Sequence, residues 1–102
     1  MYGTPSITVE ELRELRRNGG SPTLIDVREP SEVAAGEIEG SVNVPLGTLP
    51  DNLGMFQPDE EIVVTCKMGG RSAQATHFLL SRGYTNVRNL VGGFLEWKRT
   101  EK

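Results

Sequence analysis

The segment Glu61-Ile62-Val63-Val64-Thr65 constrains this chain most: an apolar, β-branched run that leads straight into Cys66. A short run of this kind is the pattern of a strand buried in a sheet. Thr23-Leu24-Ile25-Asp26-Val27 repeats it and ends in a charged turn, while Ser41-Val42-Asn43-Val44 and Val87-Arg88-Asn89-Leu90 are weaker versions. Helical signals fall between the strands. Ile7 to Leu12 opens a helix with a Thr8/Glu11 capping box and an Ile7/Leu12 staple. Val9, Leu12 and Leu15 form its apolar face, Arg16 and Arg17 suit its end, and Gly19-Gly20 stops it. Pro30 fits the first position of a brief helix that runs through Ala35 and closes at Gly36. Leu49 to Leu53 reads as a helical turn. Ser72 to Arg82 reads as a helix with Ala75, Phe78 and Leu79 inward and Gly83 as its stop. Gly92-Gly93 leads into a last helix holding Phe94, Leu95 and Trp97.

Strands alternating with helices, without linker or repeat, predict one α/β domain over residues 1–102. Its sheet is expected to be mostly parallel, with helices on both faces. Ligands of such sheets bind beyond the carboxyl ends of the strands, which is where Cys66 falls.

Composition removes several classes of function. One cysteine and one histidine exclude an internal disulfide and a zinc site of the usual Cys/His kind, and no metal is expected. A net charge of −3 with both signs interspersed gives no basic stripe for nucleic acid. No apolar run approaches the ~20 residues of a membrane span. Met1 to Ser6 lacks the basic and apolar regions of a signal peptide, so a cytoplasmic protein is expected.

A lone cysteine is more often inert core than reagent, so its surroundings decide. The thiolate is the reactive form, and helix N-termini and cations lower a thiol's pKa. Cys66 is followed by Lys67-Met68-Gly69-Gly70-Arg71-Ser72 and then by a helix whose first amides lack internal partners. Lys67 and Arg71 flank the sulfur, and no acidic residue occurs between Thr65 and Arg82. Gly69 and Gly70 let the loop amides curl inward as an anion nest. Arg71 offers a planar two-pronged donor set. The P-loop pattern needs a lysine after its glycines; Gly70-Arg71-Ser72 lacks it, which sets a nucleotide site aside.

Together these segments resemble a single-domain rhodanese, the thiosulfate sulfurtransferase family. Cys66 to Ser72 matches the Cys-x-x-Gly-x-Arg-Ser form of its active loop, and Leu24-Ile25-Asp26-Val27-Arg28-Glu29 matches a second segment. Gly40 to Leu46, and Leu90-Val91-Gly92-Gly93 with Trp97, extend the resemblance over nearly the whole chain. The resemblance implies a three-layer rhodanese-like fold with a five-stranded sheet. It also implies that Cys66 takes the outer sulfur of thiosulfate as a persulfide and passes it to cyanide, a thiol or a sulfur-carrier protein. Lys67, Met68, Gly69, Gly70, Arg71 and Ser72 would bind the substrate, with no cofactor. Asp26 and Arg28, just past a strand end, are expected to support the active side of the sheet through an ion pair or turn hydrogen bonds rather than to act in catalysis. A cysteine desulfurase is a further expected donor, and nothing requires more than a monomer. One departure stands out: the Gly-His-Ile-Pro-Gly-Ala often found in the family is Gly36-Glu37-Ile38-Glu39-Gly40-Ser41 here. If Glu37 and Glu39 line the mouth, they favour a protein partner over a small anion. The active-loop spelling also resembles rhodanese domains fused to adenylating enzymes, which this chain does not contain.

Two other readings remain open. Phosphatases of the same fold have five residues between the cysteine and the arginine, where only Lys67 to Gly70 intervene here. A non-catalytic binding module typically lacks the cysteine. Among other residues, His77 is read as a solvated or half-buried helix position and Trp97 as a core aromatic. Met55 and Phe56 are read as packing beneath a loop rather than as an exposed lip.

Overall fold

The computed structural model describes residues 3–101; Met1 and Tyr2 of the N-terminal segment read above lie outside them. Five strands, β1 (Ser6–Ile7), β2 (Thr23–Asp26), β3 (Val42–Asn43), β4 (Ile62–Thr65) and β5 (Val87–Leu90), form one sheet in the order β1-β5-β4-β2-β3. Every pairing is parallel. The expectation of a mostly parallel sheet therefore sharpens to an all-parallel one. β4 lies at the centre, and all four of its residues are buried.

Strand alternation divides the core in two. Ile25, Ile62, Val64 and Val87 face α3 (Gly70–Ser81) and a 3-10 segment, Leu46–Met55, and pack there with Leu49, Ala75, Leu79 and Tyr84. Leu24, Val63 and Leu90 face the opposite way, onto α1 (Val9–Arg17) and α4 (Gly93–Arg99), with Ile7, Leu12, Ile38, Phe94 and Trp97. Helices thus cover both faces. Phe56 joins the first cluster, whereas Met55 points to solvent at 54% exposure, so the two apolar neighbours part company.

Local signals set the helix boundaries. In α1 the Thr8 hydroxyl accepts the Glu11 N–H at 3.0 Å and the Glu11 carboxylate accepts the Thr8 N–H at 2.8 Å, which closes the capping box. Ile7 stands one residue outside that cap, in β1 rather than in the helix. Its pairing with Leu90 adds the fifth strand, which has no sequence pattern of its own. Pro30 begins α2 (Pro30–Ala34), as a proline at the first helical position should. α3 starts at Gly70, two residues before the sequence placed it, because the Ala73 N–H already bonds the Gly69 carbonyl at 3.0 Å. Among the described residues no helix is long and apolar enough to cross a membrane.

Candidate active site

Cys66 follows the last residue of β4, beyond the carboxyl end of the central strand, and is only 1% exposed. Gly69 then turns the chain with φ +113°, the left-handed region open to glycine, and caps α3. The turn aims donors at the sulfur. The Gly69 N–H reaches Sγ at 3.1 Å, and the Ser72 hydroxyl lies 3.3 Å from it. Burial pushes the Cys66 thiol up, but hydrogen bonds from the Ser72 side chain and from the backbone of Ser72, Gly69 and Met68 outweigh it. The thiol ends below its ordinary range, so the site favours a sulfur anion despite its apolar neighbours.

The loop is held from outside as well. Two of its carbonyls meet the N-terminus of α4: the Phe94 N–H bonds the Cys66 carbonyl at 2.8 Å, and the Leu95 N–H bonds that of Lys67 at 3.0 Å. Two orphan amides of a seven-residue helix are thereby satisfied by the loop. Gly93 makes the approach possible. It is buried with φ +59°, and a Cβ there would fall 2.5 Å from the Cys66 carbonyl oxygen.

The remaining residues singled out in the sequence take definite places. Lys67 and Met68 are exposed on the loop's outer side, Met68 at 67%. Gly70 opens α3 with free space where a Cβ would stand. Arg71 is committed: Nη1 meets Glu32 Oε1 at 2.7 Å and Nη2 meets Oε2 at 2.9 Å. Both prongs expected to face an anion are therefore on a carboxylate of α2. Glu32 is itself oriented by the Glu29 N–H at 2.9 Å. The Arg71 guanidinium, followed by that backbone donor, lowers the Glu32 carboxyl to about 2. Glu32 is thus ionised at neutral pH and cannot serve as a leaving-group acid.

Asp26 and Arg28 form a buried bidentate pair, with Nη2 to Oδ2 at 2.7 Å and Nε to Oδ1 at 3.0 Å. Arg28 also donates to the Gly36 carbonyl at 2.8 Å and lies 4.4 Å from the centre of the Phe94 ring. It therefore ties the end of β2 to the α2 region and to α4, and neither side chain is hydrogen-bonded to Cys66. Glu37 and Glu39 are both exposed; the Glu37 carboxylate accepts the Ser41 hydroxyl and the Glu39 carbonyl accepts Arg16. His77 is exposed and pairs with the hydroxyl of Thr4, 73 positions away in the sequence. Trp97 is partly buried beneath Arg13, whose guanidinium lies 4.0 Å from the ring centre.

Two site residues escaped the sequence reading. Glu32 stands 39 positions from Arg71, and its one local hint was its spacing of three from Glu29 at a proline-led helix start. Asn89, on β5, accepts the Ser72 hydroxyl through Oδ1 and donates to the Gly69 carbonyl at 3.3 Å. Nothing local marked it.

The model of the rhodanese-like domain matches residues 8–100. The chain belongs to the rhodanese family. Among curated rhodanese relatives, the human thiosulfate:glutathione sulfurtransferase is 39% identical over 99% of each chain. The Pseudomonas aeruginosa thiosulfate sulfurtransferase GlpE is 33% identical over 90% of this chain and 82% of its own. The solved structure of the human single-domain sulfurtransferase TSTD1 superposes with a TM-score of 0.89 at 36% identity, covering 98% of this chain and all of that one. The protein is a rhodanese-family sulfurtransferase with the family's α/β fold.

Proposed function

We propose that this rhodanese moves sulfane sulfur from thiosulfate, or from a protein persulfide, to a nucleophilic acceptor through a persulfide on Cys66. One observation carries the reading: the Gly69 N–H and the Ser72 hydroxyl converge on Sγ at 3.1 and 3.3 Å. In the first step the Cys66 thiolate attacks the outer sulfur of thiosulfate. A new S–S bond forms, the donor's S–S bond breaks, and sulfite leaves with the electron pair. In the second step an acceptor thiolate or cyanide attacks the outer sulfur and Cys66 departs as a thiolate, a ping-pong cycle. The Gly69 N–H, fixed on the sulfur by the turn, needs no reorganisation as charge develops there.

The names of the relatives favour thiosulfate as donor and a low-molecular-weight thiol such as glutathione as acceptor. A cysteine desulfurase as donor and a sulfur-carrier protein as acceptor are the protein-borne alternatives. Lys67, on the exposed side of the loop, would draw the anionic donor in. Arg71 would act from its place against Glu32 rather than as a free clamp, and Met68, Gly70 and Ser72 complete the cradle. Asp26 and Arg28 would support the site without touching substrate. We read the chain as one cytoplasmic rhodanese domain over residues 1–102, working as a monomer.

Intact-mass spectrometry after incubation with thiosulfate tests the proposal. The wild type should gain about one sulfur atom (~32 Da) and release it to cyanide or glutathione. Cys66→Ser should do neither. Thiocyanate formation by the serine variant would end the proposal.

A further inference from the structure

Ser72 has one hydroxyl proton and two acceptors within reach. Its Oγ lies 3.3 Å from Cys66 Sγ, and it is also hydrogen-bonded to Asn89 Oδ1. A hydroxyl donates once, so it serves one of the two at a time. The carboxamide orientation is decided on its other side: Nδ2 donates to the Gly69 carbonyl at 3.3 Å, and the reverse orientation would set Oδ1 against that oxygen. Both side chains are enclosed, Ser72 at 0% and Asn89 at 8% exposure.

The protonation state of the sulfur changes what satisfies this chain. With a neutral thiol, S–H can donate to Ser72 Oγ and Ser72 can donate to Asn89, which leaves no acceptor short of a proton. With a thiolate or persulfide anion, the Ser72 proton is wanted at the sulfur, and Asn89 Oδ1 then loses its donor. A buried acceptor left without a partner is costly, so Asn89 pulls against the anion that the loop amides favour.

We propose that Asn89 is a positioning residue for Cys66, acting through the direction of the Ser72 hydroxyl. This goes beyond the transfer reaction and rests on the reading of Cys66 as its nucleophile. Asn89 moderates the thiolate and releases it when the hydroxyl swings round, while its bond to Gly69 keeps the turn in place. The charged groups nearby are otherwise engaged. Arg71 of α3, the charge that couples to Cys66, is paired with Glu32 of α2, and Glu29 acts on Arg71 in turn. Asp26 and Arg28 beside the end of β2 hold each other. Lys67 stands on the exposed loop, and Arg88 of β5 pairs with Glu61.

Because Cys66 is the one cysteine in the sequence, its titration can be followed cleanly. The readouts are thiolate ultraviolet absorbance and the rate of iodoacetamide alkylation against pH, with Cys66→Ser as blank. Asn89→Ala leaves the Ser72 proton to the sulfur. The midpoint should fall, and alkylation on its acid side should quicken by roughly 3–10-fold, the equivalent of ~0.5–1 pH unit. Asn89→Asp holds the proton more firmly and adds a negative charge, so the midpoint should rise by about one unit or more. In a Ser72→Ala background, Asn89→Ala should shift nothing further. A residue that merely braces β5 would lower the urea midpoint of Asn89→Ala and leave the titration unmoved, which would overturn the proposal. A shift that persists without Ser72 would overturn it as well. Sulfur loading is scored separately by mass: a chain that shows these shifts yet never loads sulfur would sink the transfer reading and leave this one standing.

Discussion

Gly93→Ala tests the claim that α4 holds the active loop in shape. The new methyl would stand 2.5 Å from the Cys66 carbonyl oxygen, 2.8 Å from that of Lys67 and 2.9 Å from the Lys67 carbonyl carbon. All three are backbone atoms, so no side chain can swing aside to relieve the clash. Keeping φ at +59° would cost an alanine about 1–2 kcal/mol. Relieving the clash by moving α4 back adds the loss of the Phe94 and Leu95 bonds to the loop, each worth about 1 kcal/mol. Together these come to roughly 3–4 kcal/mol, a large part of the ~5–15 kcal/mol that holds a domain together. For a domain of this size that is a melting point lower by roughly 12–30 °C. Gly47→Ala is the control, since nothing lies within 4 Å of its Cβ position and its φ is not positive. Thermal melts of both variants, with sulfur loading measured below the transition, decide the matter. A Gly93→Ala protein that melts within about 4 °C of wild type and loads sulfur normally would refute the reasoning.

Two further outcomes follow from ion pairs. Asp26→Asn leaves the Arg28 charge buried at 3% exposure without its counter-ion and should cost about 3–5 kcal/mol by urea unfolding; a loss below about 1 kcal/mol would mean that the pair does not hold this corner. Glu32 carries a pH signature. Arg71 lowers its carboxyl from 4.5 to about 2, so between those values the folded chain binds fewer protons there than the unfolded one. Its contribution is complete above pH 4.5 and is lost as pH falls toward about 2. Glu32→Gln should flatten the decline of melting temperature across that window, and an unchanged slope would show that the pair adds no stability.

How much of this could be read in the sequence depended on how far each cause reached along the chain. The Thr8/Glu11 cap, Pro30 at a helix start and Cys66 at the end of an apolar strand act within a few residues, and all appear where they were read. β1 did not, because a two-residue strand has no periodicity and exists only through its pairing with Asn89 and Leu90. The active loop was legible as a cation-flanked nest, yet the partner that occupies Arg71 was not. Glu32 reaches it only because α2 folds back over the sheet end, which composition near Cys66 cannot reveal. Asn89 is a similar case: its neighbour Leu90 reads as strand core, and its own role emerges only once α3 lies across β5. The apolar pair Met55 and Phe56 marks the same limit, since which of two adjacent residues turns inward is settled by the partner surface.

The depth of Cys66 has a bearing on selectivity. A persulfide has two sulfurs open to attack, and the outcome depends on which one is hit. Attack on the inner atom yields a mixed disulfide and discards the cargo as hydrosulfide; attack on the outer atom delivers it. In the proposed cycle, with the parent residue almost sealed, the added sulfur, about 2 Å away, would be the one an incoming nucleophile meets. Shielding at the root of the proposed bond would thus steer the chemistry toward delivery, and the same shelter would protect the cargo from premature loss.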